Sequence, residues 1–229
     1  MARTKFPTQV YRVDARSCFL EVLCDALPID KVSLNFVSYD KNQPVGQREQ
    51  GKVKIYMEIF QAAALSGDIL SGRIAGLARK SKKKAVEGGE KYPEPVFALL
   101  GGTAAKNTLN NQAISRQFRL SPGSVKPYVA EAISGPGIEQ ENGLITPNGK
   151  PDVAIRVPLE ADKLKELAHA LTMVTQIWGI TKFMPVVEPA ITTARKRIEE
   201  EIQEYAKRNE STNHQDSIEG DDFPTELPY

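Results

Sequence analysis

Residues 52–70, KVKIYMEIFQAAALSGDIL, change period in mid-stretch. Val53, Ile55 and Met57 alternate with Lys52, Lys54 and Tyr56, which is the two-residue repeat of a strand with one buried face. From Ala62 the apolar residues recur at helical spacing through Leu65, Ile69, Leu70, Ile74 and Leu77, so a helix follows and lays its stripe on the sheet. Residues 152–171, DVAIRVPLEADKLKELAHAL, repeat this strand-then-helix grammar without repeating the residues. The expected fold class is therefore α+β, with antiparallel sheet units each followed by a helix.

Working outward, CFLEVLC (18–24) and KVSLNFVSYD (31–40) supply two strands before the first helix, with Val32, Leu34 and Phe36 on one face. The first helix ends in the basic run RKSKKK (79–84), and AVEGGEKYPEP (85–95) reads as a loop. PVFALLGG (95–102), AISRQFRLS (113–121), VKPYVAEAIS (125–134) and DVAIRVP (152–158) are the strands of the second unit. Its helix, residues 159–178, carries Leu164, Leu167, Ala168, Leu171, Val174 and Trp178 as its stripe. After the proline-containing connector ITKFMPVVEP (180–189), a last helix to about Arg208 shows a narrow seam of Ile191, Ala194, Ile198, Ile202 and Tyr205. The division expected is an α+β domain over 1–186, a helix over 187–209 and a disordered acidic tail over 210–229.

A chain of 229 residues that is 41% hydrophobic can bury a sizeable core. No stretch reaches the roughly 18 apolar residues of a membrane span, and MARTKFPTQVYRVDARS has no apolar signal region, so a cytoplasmic protein is expected. Cys18 and Cys24, six apart on one strand, lie too far from each other to bridge. His169 and His214 have no ligand-spaced neighbours, so neither metal nor cofactor is expected. GGTAAKNT (101–108) lacks phosphate-loop spacing and nothing pairs a nucleophile with a base, which argues against an enzyme.

The net charge of +1 conceals a segregation of charge. Residues 210–229 hold six acids and no Lys or Arg, leaving 30 basic against 23 acidic residues, or +7, in the rest. The basic surplus concentrates at Lys80, Lys82, Lys83 and Lys84 and on strands where cations neighbour rings: Lys52, Lys54 and Tyr56; Arg116, Phe118 and Arg119; Lys126 and Tyr128. Cations that follow phosphates and rings that stack on bases suit an unpaired nucleic acid, whereas a duplex hides the faces of its bases. The expected partner is single-stranded DNA bound without sequence preference. RNA would be served by the same groups, and an adaptor acting only through its tail is the non-binding alternative. Self-association is expected through the last helix or a sheet edge.

The tail GDDFPTELPY (220–229) resembles the acidic carboxy-terminal tip of bacterial single-stranded DNA-binding proteins, through Asp221, Asp222, Phe223 and Pro224, then Leu227, Pro228 and Tyr229. The resemblance implies that these residues dock replication, repair or recombination proteins, although FPTE separates acids from aromatic and Tyr replaces the usual Phe. The repeated sheet-plus-helix units look like whirly-type single-strand binders. An oligonucleotide-binding barrel with everything after about residue 125 as an extension is the alternative architecture. The expected role is replication, recombination, or conjugative or phage DNA processing.

Overall fold

Four segments of the first unit form an antiparallel meander, in the order β1 (Gln9–Asp14), β2 (Cys18–Leu23), β3 (Lys31–Tyr39) and β4 (Glu49–Glu58), with burial alternating along β2 and β4. The computed structural model describes residues 8–215. Register aligns Leu20 with Phe36 and Val53, and Val22 with Leu34 and Ile55, so one face presents uninterrupted rows of apolar side chains. β1 is an additional strand beyond the sequence expectation. Its Tyr11 hydroxyl donates to Glu166 at 2.9 Å, and burial followed by that hydrogen bond pushes the phenol well above its ordinary pKa.

The second sheet follows the same plan: β5 (Phe97–Thr103), β6 (Ile114–Pro122) and β7 (Tyr128–Glu139) pair in order, and the far side of β7 is shared by β9 (Val153–Leu159) and the short β8 (Ile145–Pro147). Both sheets feed one core. Phe118 of β6 lies 6.0 Å from Phe36 of β3 and 5.9 Å from Phe97 of β5, between ring centroids. Cys18 Sγ donates to the Arg156 carbonyl at 3.1 Å, which ties β2 to β9.

Each unit closes with helix, as the change of period requires. β4 runs straight into α1 (Ile59–Leu70), where Glu58 and Gln61 form a reciprocal capping box. Gly72, at φ +79°, ends that helix and lets α2 (Arg73–Gly88) start in a new direction. The expected single helix is therefore two, and RKSKKK lies inside α2, where the sequence suggested a helix end and loop. The second unit feeds α3 (Ala161–Gln215). Ser66 of α1 is buried where the helices meet and donates to the Ala168 carbonyl of α3 at 2.8 Å, which satisfies its hydroxyl. Trp178 Nε1 donates to Asp30 Oδ1 at 2.7 Å, and Phe60 meets the indole edge-on at 5.8 Å.

The expected connector at 180–189 is helical: α3 continues through Pro185 and Pro189. A boundary after Trp178 separates a unit ending there from one starting at Gly179. No helix among the described residues is long and apolar enough to cross a membrane.

Because Phe118 fills the junction between the sheets, Phe118→Ala should cost about 3–5 kcal/mol of folding stability in chemical denaturation. A loss near zero would mean that the sheets do not depend on this contact.

Candidate nucleic-acid interface

β4 and β5 are edge strands of different sheets, and their flanks line a groove of about 380 Å³. One wall carries Lys54 and Tyr56 of β4. Leu100 and Gly101 of β5 and Arg116 of β6 also line the groove. Tyr56 keeps 46% of its surface exposed and Leu100 keeps 43%, so a ring and an apolar side chain stand open to an occupant. The two glycines of β5 differ in role. A Cβ on Gly102 would strike the Ile114 carbonyl at 2.2 Å, whereas a Cβ on Gly101 would meet nothing within 4 Å. Gly102 is required by packing; Gly101 leaves bare backbone along the groove.

The charges in the groove are partly offset. Lys54 forms an ion pair with Asp25, which also accepts from the Ser33 hydroxyl, and its ammonium lies 5.6 Å from the Tyr56 ring centroid. Lys31, on the rim, pairs with Glu58 at 3.0 Å. Arg116 hydrogen-bonds the neutral Thr103 hydroxyl, so that contact leaves its positive charge uncompensated. Burial pushes the Asp25 carboxyl up, but the hydrogen bonds from Lys54 and Ser33 and the Lys54 charge outweigh it and hold the group below its ordinary value.

A second, wider groove of about 820 Å³ runs between the end of α2 and the outer face of the second sheet. Lys82, Lys91, Arg119 and Arg156 reach it together with Tyr92. Arg156 is engaged by Glu131 at 2.6 Å and Arg119 by the Gln117 amide oxygen at 2.6 Å.

The sequence-predicted residues therefore distribute unevenly. Lys54, Tyr56 and Arg116 come together in the first groove, and Lys82 and Arg119 in the second. Lys52 is exposed on β4, and Lys80, Lys83 and Lys84 are exposed on α2, the last two pairing with Glu87 and Glu94. Lys126, in the turn before β7, pairs with Glu160. Two assignments need correcting: Phe118 and Tyr128 are buried, at 1% and 8% exposure, and offer no ring for stacking. Phe118 shares its parity with Leu120, and Tyr128 shares its own with Ala130 and Ala132, all of them core positions. Asp221, Asp222, Phe223, Pro224, Leu227, Pro228 and Tyr229 lie outside the described residues.

Sequence reasoning missed Lys31, Leu100 and Gly101 in the first groove and Lys91, Tyr92 and Arg156 in the second. The paired glycines of FALLGGT were the available signal, since glycine inside a strand marks a close approach or an open edge. Among the described residues no group of three or more His, Cys, Asp or Glu could hold a metal ion.

No protein-family model matches this chain, and no curated protein does. Among solved structures it is similar to WHY3 from Arabidopsis thaliana, with TM-score 0.46, 8% identity, and coverage of 82% of this chain and 98% of that one. It is similar to WHY1 from Arabidopsis thaliana, with TM-score 0.42, 8% identity, and coverage of 79% and 90%. The plant transcriptional regulator PBF-2 matches with TM-score 0.40, 10% identity, and coverage of 78% and 93%.

The Asp25 carboxyl should titrate below its reference value of 3.8 when followed by carbon-13 NMR. Its depressed value means that the favourable pairing is present above the unfolded-state value and lost as pH falls through the folded one. Lys54→Met should move the midpoint upward. An unmoved midpoint would assign the depression to something other than Lys54.

Proposed function

We propose that this protein binds single-stranded DNA without strong sequence preference, holding the strand in the groove between β4 and β5. The observation that carries the reading is the half-exposed Tyr56 ring standing beside Lys54 in one groove with the bare backbone at Gly101 and the Arg116 guanidinium. A flat base can stack on the ring while the cations follow its phosphate, and neither contact reads base edges. Stacking requires an unpaired base, so duplex DNA is a poor occupant. At about 380 Å³ the groove lies within the size range of small-ligand sites, enough for a base and too small for a duplex.

The acidic tail is proposed as a separate arm that recruits replication or recombination proteins in the cytoplasm. The support is its charge: six acids without a single cation, carried on a chain whose remaining residues sum to +7. Its apolar Phe223, Leu227 and Tyr229 would anchor in a partner whose rim is basic.

Fluorescence anisotropy with single-stranded DNA, duplex DNA and RNA of matched length, across a salt series, tests the reading. The single strand should win, with affinity falling steeply as salt rises. Tyr56→Ala should weaken binding by about 1–3 kcal/mol, the usual worth of one stacked base. Gly101→Trp, whose Cβ would meet nothing within 4 Å, should block binding at near-normal thermal stability. Arg116→Ala should lower the salt slope by about one. Equal affinity for duplex, or normal binding by both Tyr56→Ala and Gly101→Trp, would remove the groove from consideration. Tighter binding to RNA would redirect the substrate to ribonucleic acid.

A further inference from the structure

We infer that the segment of α3 from Ile180 to Tyr205 is a dimerisation helix that pairs antiparallel with the same segment of a second copy of this chain. Met184, Ile191, Ile198 and Tyr205 stand seven residues apart, and Ile180, Val187 and Ala194 interleave with them four residues before or three after. Alternating steps of three and four average 3.5, the repeat that keeps an apolar seam facing a partner helix along its whole length. All seven of these residues are exposed, as is every described side chain from Ile180 to Lys207. An apolar seam exposed along its whole length is the surface whose burial would add most to the stability of this helix.

The two prolines sharpen the argument. Each removes a backbone hydrogen bond from the helix interior, so this segment is intrinsically weaker than its length implies. With Met184 and Val187 on the seam, Pro185 and Pro189 fall at the positions turned away from it, where they do not interrupt the packing surface. Disruptive residues tolerated only on the outward side are what a segment stabilised by its seam would show.

Charge selects the partner. Between Gly179 and Lys207, five basic and five acidic residues cancel, so two copies of this segment do not repel each other. Glu188 and Arg195 occupy equivalent flanking positions one heptad apart with opposite sign. Antiparallel pairing sets each against the other across the dimer, whereas parallel pairing would set Glu201 of the seam against its own copy. A dimer of this kind goes beyond the binding reading, and on that reading it would bring two grooves to one strand and raise avidity for long oligonucleotides.

Light scattering coupled to size exclusion, on the full chain at micromolar concentration, should give at least twice the 25.3 kDa of one chain. Ile191→Glu with Ile198→Glu should halve that mass or reduce it further, leaving near-ultraviolet circular dichroism and affinity for a short oligonucleotide unchanged. Glu188→Arg should weaken association, and adding Arg195→Glu should restore it; within one helix these residues are two turns apart, so rescue reports the contact between chains. A wild-type mass of 25.3 kDa, or a mass unchanged by the double glutamate substitution, overturns the seam. Failure of the charge swap to restore association overturns the antiparallel arrangement. Oligonucleotide binding is read separately, so loss of one conclusion leaves the other standing.

Discussion

The contact between Phe36 and Phe118 sets the geometry of everything else. Each ring is fully or nearly buried, and each belongs to an interior strand of its own sheet, so their approach to 6.0 Å brings the inner faces of the two sheets together. An aromatic pair of this kind adds about 0.5–1.5 kcal/mol to the burial of its rings. Once the faces meet there, the edge strands β4 and β5 run close enough for their flanks to enclose a groove. The groove is thus a by-product of core packing, with a floor as rigid as the core beneath it.

Helices complete the core without covering that groove. The capping box at Glu58 turns β4 into α1 with no intervening loop, so Lys54 and Tyr56 sit within five residues of the helix start and inherit its fixed position. Ser66 and the Ala168 carbonyl then lock α1 to α3, a close approach that a larger side chain at Ser66 would prevent. Glycine at 72 redirects the chain so that α2 carries its lysines away toward the second sheet. The basic run and the aromatic groove are therefore separate surfaces, which a linear reading merges.

What was legible in the sequence follows from where periodicity is pure. Val53, Ile55 and Met57 alternate with Lys52, Lys54 and Tyr56 because only one face of β4 is buried, and their register was readable at once. β6 defeats the same logic: Ser115 and Gln117 are buried on one face while Phe118 and Leu120 are buried on the other, so parity alone does not say which side is solvent. Tyr128 misled for a related reason. Its same-face neighbours Ala130 and Ala132 are small, and Lys126, which lends it an outward look, belongs to the preceding turn. The groove itself was beyond reach, since Tyr56 and Gly101 come from different sheets and line one groove only through tertiary packing. Pro185 and Pro189 misled in the opposite direction, because each is a local breaking signal inside a helix that continues past them.

Net charge overstates what the surface can offer a polyanion. Lys54, Lys31, Lys84, Lys126 and Arg156 each already face a carboxylate, so the surplus of seven does not translate into seven phosphate contacts. Exposed pairs of this sort are weak, about 0–1 kcal/mol, and a phosphate can displace the acid at small cost, but each such exchange returns less than an uncompensated cation would. On the proposed reading, the electrostatic contribution in the groove would rest disproportionately on Arg116, and discrimination between paired and unpaired strands on Tyr56 and the bare backbone of Gly101. A surface arranged this way would depend on shape and stacking for selectivity, with charge supplying attraction that salt can remove.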